Sequence, residues 1–272
     1  MNGLFAEHGI DVEILDPSGG PDNAVRVGGG DSDFALTSVQ HYLSARALHG
    51  DIPARFVAMV VQRSPIGALV PASSARYRPA DLASCRVGGD PSNPQVVEFL
   101  ATLDHRGIAP PTLVEMDVES ARAALRQGQI DAIVALVDAL PRRRRQIGIP
   151  LRAVHVGRDD IYGSGVLAGD RVPDELVAQV RSAVVAALDA QRRSPEAGLT
   201  EMADRYGDDR TDDAPEGWQM LQEFVFTGVP TGSMDAGQWR TTLEFLCGAR
   251  RLAVPDGEAV YRPSFLGVPA RS

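Results

Sequence analysis

At 272 residues the chain is long enough for one large or two modest domains with proper cores, and no apolar stretch approaches the ~20 residues that span a bilayer. Its net charge of −9 argues against nucleic acid, whose phosphates call for a basic face. All 27 basic residues are arginine, which excludes a Walker A loop and every lysine Schiff-base mechanism, pyridoxal-phosphate chemistry included.

In chain order, Leu4 to His8 reads as the tail of a helix stopped by Gly9, and Val12-Glu13-Ile14-Leu15 as a strand. Pro17-Ser18-Gly19-Gly20 is a turn into a helix around Ala24 to Val27. Gly30 then ends that helix, because glycine takes the left-handed turn without a Cβ clash. An aspartate follows three residues on, then the apolar run Phe34-Ala35-Leu36-Thr37-Ser38, too short for a helix and read as a buried strand. The same order recurs at Gly128, Asp131 and Ala132-Ile133-Val134-Ala135-Leu136. Each copy predicts a helix–strand–helix unit of a parallel α/β layer, where ligands sit outside the carboxyl ends of the strands. Two copies suggest two lobes that each offer a strand end to one cleft.

Between the copies lie a helix from Val39 to Leu48 and the doubly buried strand Phe56 to Val61. Gln62-Arg63-Ser64-Pro65 interrupts that strand before Ile66 to Val70 resumes it, which suits a crossing between lobes. Pro79-Ala80-Asp81-Leu82 turns into the strand Arg86 to Gly88, and Asp90-Pro91-Ser92-Asn93-Pro94 opens a helix from Gln95 to His105. A strand at Leu113 to Met116 and a helical stripe of Val118, Ala121 and Leu125 lead to the second copy. The run Arg142 to Arg145 reads as a solvated helix face rather than an anion site. Ala153 to Val156 is the last strand of this block, and Asp160 to Leu167 is the return crossing. Helices follow around Leu176 to Leu188, Leu199 to Tyr206, Trp218 to Val225 and Asp235 to Leu246, with a solvent loop at Asp208 to Asp213 and an irregular tail after Pro255. The expected organisation is an outer lobe of residues 1–66 and 163–272 with a middle lobe, 67–162, inserted in it.

Cys85 and Cys247 fall in different lobes outside any CxxC pair, so buried reduced thiols are expected. His8, His41, His49, His105 and His155 show no metal-ligand spacing; His41 follows a strand end, where it would line the cleft or, as the plainer reading, serve as an ordinary helix residue. No metal and no cofactor is expected.

This order of elements resembles the periplasmic-type, SsuA-like solute-binding proteins that serve ABC importers for nitrate, sulfonates, taurine and thiamine-pyrimidine precursors. The matching pieces are Leu4-Phe5-Ala6-Glu7-His8-Gly9-Ile10-Asp11-Val12-Glu13, the Gly-x-x-Asp-Phe-Ala run, the strand with Gln62-Arg63-Ser64-Pro65, and Ala80-Asp81-Leu82 before a strand. Gln238-Trp239 and the late Tyr261 with Ser264-Phe265-Leu266 also fit. The resemblance covers nearly the whole chain and implies a two-lobed, type II binding-protein fold, each lobe a mostly parallel sheet flanked by helices. It departs at the start: family members begin with a signal peptide and an apolar strand, whereas this chain opens inside the first helix. The expectation is a truncated sequence or a misassigned start codon, with an extracytoplasmic location if the full-length protein carries a signal.

The resemblance implies capture of a small molecule by closure of two lobes, with a membrane permease as transient partner, no nucleic acid, and a monomer. The outer lobe would present Gly19 and Gly20, whose missing side chains admit backbone N–H groups to a ligand, with Thr37 and Ser38 at a strand end. The middle lobe would supply Asp90, Ser92 and Asn93 at a helix N-terminus, which favours anionic groups. Gln62, Arg63 and Ser64 lie at the crossing, with Arg63 a partner for an anion or a plain surface arginine. Asp138 would instead favour a ligand amine or ring N–H, and Tyr162 would stack on a flat ligand or pack the crossing. A turn at Gly19-Gly20 and helix caps at Ser38, Ser92 or Asn93 are the structural alternatives. A small organic or oxyanion ligand, bound without turnover, is therefore expected. The rivals are an enzyme without pyridoxal phosphate and a ligand-sensing domain on the same bilobal fold.

Overall fold

The computed structural model describes residues 3–16, 19–207 and 211–267. Pro17 and Ser18 of the expected turn, and residues 208–210 of the expected loop, lie outside them. The chain forms two compact units: Met1–Arg63, Asp159–Thr211 and Phe224–Ser272 in the first, Ser64–Arg158 and Asp212–Glu223 in the second.

The first unit holds helices α1 (Leu4–Glu7), α2 (Gly20–Gly29) and α3 (Val39–His49), with strands β1 (Phe34–Ser38) and β2 (Ala54–Met59). In the second lie β3 (Ile66–Pro71), β4 (Arg86–Gly89), α4 (Pro94–His105), β5 (Thr112–Glu115), α5 (Val118–Arg126), β6 (Ala132–Leu136), α6 (Leu140–Ile147) and β7 (Leu151–His155). The chain returns to the first unit with β8 (Ser164–Gly169), α7 (Asp174–Arg193) and α8 (Pro195–Tyr206). Most of α9 (Ala214–Val225) belongs to the second unit, and α10 (Ala236–Ala249) closes the first. Local chemistry sets these boundaries. Asn93, Asp117 and Asp235 cap α4, α5 and α10 by accepting backbone N–H groups, and Gly30 and Gly128 leave α2 and α5 at positive φ.

Two sheets result. In the first unit the order is β1-β8-β2, with β8 antiparallel to both neighbours. In the second it is β5-β4-β6-β3-β7, with β4 parallel to β5 and β6, and β3 antiparallel to β6 and β7. Most strands of each sheet therefore share one direction, and the strand that follows each crossing, β3 or β8, is threaded between them in reverse. The parallel layer expected around each Gly-x-x-Asp copy is corrected to that extent: β1 bonds only to the reversed β8 among the described residues.

Val12 to Leu15 do not form the expected strand. Val12, Ile14 and Leu15 are exposed, as is Leu36 on β1, and no described residue pairs with the outer edge of β1. A strand exists only through its neighbour; here the segment is held by arginines, Arg205 donating to Ile14 O (3.2 Å) and Arg26 to Asp16 O (3.4 Å). The other edge of the sheet is closed, since Phe56 N donates to Val260 O and Arg262 N to Phe56 O. The tail expected to be irregular is thus pinned on β2.

The run Arg142 to Arg145 is not a bare solvated face. Arg144 pairs with Glu216 (3.0 Å) and Arg145 with Asp213 (3.3 Å), tying α6 to α9 and the turn before it within the second unit. Cys85 and Cys247 are free, buried thiols in separate units.

Candidate functional site

In the first unit, the carboxyl end of β1 runs straight into α3. Ser38 is the N-cap of α3: its Oγ accepts from His41 N (3.2 Å) and lies 2.9 Å from His41 Nδ1. Burial, then the nearby Arg250, lowers the His41 pKa, which favours the neutral imidazole. The start of α2 rests on that ring. A Cβ at Gly20 would stand 2.7 Å from His41 Cδ2, so glycine is what lets the two helix starts meet. Gly19 caps α2 at φ 102° with open space beside it, and Thr37 is buried. Gly19, Gly20, Thr37 and Ser38 thus belong to one corner of the unit, and His41 is the residue that joins them. A serine N-cap followed three residues later by histidine was the signal for it.

Of the other first-unit candidates, Gln62 and Tyr162 turn inward. Gln62 is buried, and its Nε2 donates to Met59 O (2.7 Å) and Ser233 O (3.1 Å), while its own carbonyl accepts from Gln238 Nε2 (2.8 Å). Tyr162 packs at 5.1 Å from Trp239, accepts from Asp235 N through its hydroxyl (2.8 Å), and is pushed up to about 12 by burial. Arg63 is half-exposed, 3.6 Å from Asp159.

In the second unit, Asp90, Ser92 and Asn93 form the entry to α4. Asp90 Oδ1 accepts from Ser92 N (2.8 Å) and Ser92 Oγ (2.7 Å), which holds its carboxyl below the usual range, and Asn93 Oδ1 accepts from Gln95 N (2.9 Å). Asp138 sits in the 3-10 turn Val137–Ala139 at the carboxyl end of β6. Its Oδ1 is buried without a hydrogen-bond partner, and burial raises its pKa. Ser64 is buried, its hydroxyl engaged by Glu98.

A separate cavity of about 320 Å³ in the first unit is lined by Asp51, Ile52, Arg55, Asp170, Asp256, Glu258 and Ala259. It lies at the amino end of β2 and includes none of the residues singled out above; Arg55 already pairs there with Asp170 at 3.0 Å.

The fold is shared with known binding proteins. The aliphatic sulphonate binding protein SsuA of Escherichia coli superposes with a TM-score of 0.70 at 15% identity, covering 97% of this chain and 90% of its own. The alkanesulfonate-binding protein SsuA of Xanthomonas axonopodis pv. citri, bound to MOPS, gives 0.68 at 19% identity over 96% and 91%. A DSZB mutant in complex with biphenyl-2-sulfinic acid gives 0.65 at 15% over 97% and 92%. No curated protein sequence matches the chain. The family profile described as NMT1/THI5 like matches residues 1–197, well over half of the sequence. The chain belongs to the NMT1/THI5-like family.

Proposed function

We propose that this protein captures a small organic or oxyanion ligand for an ABC importer, as a solute-binding component that works outside the cytoplasm and meets its permease transiently. The observation that carries the reading is the family match, joined to a fold shared over nearly the whole chain with two proteins described as sulfonate-binding. Ligand contacts are assigned to Gly19, Gly20, Thr37, Ser38 and Arg63 from the first unit, and to Asp90, Ser92, Asn93 and Asp138 from the second. Two helix N-termini among these, at α3 and α4, suit a sulfonate, nitrate or carboxylate. Asp138 suits an amine or ring N–H. Gln62 through its Nε2, Ser64 through its hydroxyl and Tyr162 through its hydroxyl are already engaged within the protein, which gives them a supporting role.

Capture is favoured over turnover by the chemistry of the thiols. Burial raises the pKa of Cys85 and of Cys247, and a neutral buried thiol is a poor nucleophile. A melting-temperature screen against aliphatic sulfonates, nitrate, pyrimidines, flavins and aromatic acids tests the proposal. A ligand at 100 Kd stabilises the fold by about 2.7 kcal/mol, a rise of roughly 5 °C or more for a chain of this size. A flat response across all five classes would overturn the ligand assignment.

A further inference from the structure

Glu98 is a buried carboxyl that the binding proposal does not use. It lies on α4 with 2% of its surface exposed. Oε1 is hydrogen-bonded to Ser64 Oγ, and Oε2 is buried with no partner. Thr102 Oγ1, four residues on along the same helix face, is also buried with no partner. An ionised carboxylate so placed would leave a full charge unsolvated and half its hydrogen bonds unmade, and such groups neutralise instead.

Its one partner occupies a particular place in the chain. Ser64 is the first residue of the second unit, next in sequence to the last residue of the preceding segment, Arg63. Every polar atom of Ser64 is engaged. Its N donates to Arg158 O (3.2 Å), the last residue before the chain leaves this unit. Its carbonyl accepts from His155 Nε2 (2.9 Å), its Oγ accepts from Ile66 N (3.3 Å), and its hydroxyl proton goes to Glu98. Gly157 approaches Ser64 O so closely that any side chain there would overlap it. The entry and exit of the unit are thus laced together at Ser64, and the lacing ends on Glu98.

We propose that Glu98 is a proton-operated latch on this passage: its neutral carboxyl is tolerated in the packed site beside Ser64, whereas loss of the proton leaves an unsolvated charge whose hydration parts α4 from residues 64–66 and weakens their bond to Arg158. Burial pushes the Glu98 carboxyl up to about 7, with the Ser64 hydroxyl pulling it down. The strands packed on α4, β3 and β6, carry no titratable side chain. The other titratable groups around the latch are His155 and Arg158 through Ser64, Arg106 through Gly157 O (2.7 Å), and Cys85 in the shared core. None of these is a cause of the Glu98 shift. The sign follows from linkage. The fold binds a proton that the unfolded chain releases near 4.5, so this stabilisation is complete at low pH and is lost as pH rises through about 7.

The test uses the full chain and its Glu98→Gln variant, which keeps the shape and an acceptor for Ser64 without the titration. Urea unfolding at pH 5.5 and 8.5 should show the wild-type folded-to-unfolded ratio falling on the order of tenfold more than that of the variant. Carbon-13 spectra should place one glutamate carboxyl near 7 in the wild type and none there in the variant. Amide exchange at Ser64 and Ile66, corrected for intrinsic rates, should quicken above pH 7 only in the wild type. Equal pH dependence of the two proteins, or no glutamate titrating above the ordinary range, overturns the proposal. Should Glu98→Gln fail to fold, the wild-type carboxyl titration and exchange profile decide the matter alone.

Discussion

The two units stabilise similar layers by different means. In the second, a five-stranded sheet carries an apolar cluster on each face, Phe99, Leu103, Ile66 and Val87 on one and Leu69, Leu125, Ile133 and Ile147 on the other. In the first, the sheet has three strands among the described residues, none of which pairs with the outer edge of β1, where Leu36 is exposed. Its centre is instead a group of rings: Trp239 lies 5.3 Å from Phe56, 5.1 Å from Tyr162 and 5.3 Å from Tyr261, and Tyr42 meets Phe56 edge-on at 5.3 Å. Where the sheet is short, aromatic area and helices take over the work that strand pairing does elsewhere.

That contrast can be broken by mutation. Trp239→Ala removes the fully buried hub of the ring group and should cost about 3–5 kcal/mol in urea unfolding; a cost below about 1 kcal/mol would move the core of the first unit elsewhere.

The twin aspartates should differ next. Asp131 binds Arg76 Nη1 (3.0 Å), Arg86 Nε (3.1 Å) and Arg86 N (2.8 Å), and although burial raises its pKa the hydrogen bonds of Arg86 prevail and lower it. Asp33 makes one ion pair, to Arg171 at 3.0 Å, and is 64% exposed. Asp131→Ala should therefore cost about 2–3 kcal/mol and Asp33→Ala below about 0.5 kcal/mol. The Asp131 contribution is present above the usual carboxylate range and fades as pH falls through it. Similar costs at the two sites would show that the repeat is structurally symmetric after all.

The smallest effect is expected at that outer edge of β1. Leu36→Thr exchanges an exposed side chain for a good strand former and should change stability by less than about 0.5 kcal/mol, whereas a large loss would mean that something covers β1.

What the sequence made legible follows the range of the forces involved. The expected Val39 to Leu48 helix matches α3 within one residue, because the Ser38 cap and Gly50 are local signals. Val12 to Leu15 has the composition of a strand, yet strand formation depends on a partner that no local window contains. The polar residues at the crossings were legible as a cluster but not in orientation. Gln62 Nε2 turns to backbone carbonyls and the Ser64 hydroxyl to Glu98, orientations that no local pattern announces. Arg144 and Arg145 read as solvated because their acidic partners stand about seventy residues away in sequence. Glu98 escaped notice for the same reason. A glutamate on an amphipathic helix reads as surface, and its burial shows only in three dimensions.

The central claim, capture without turnover, is tested most directly by titrating the folded chain calorimetrically with the compound that raises its melting temperature most, then recovering and analysing that compound. The account predicts saturation at one equivalent and ligand recovered chemically unchanged. Ligand converted to product during the titration would contradict it.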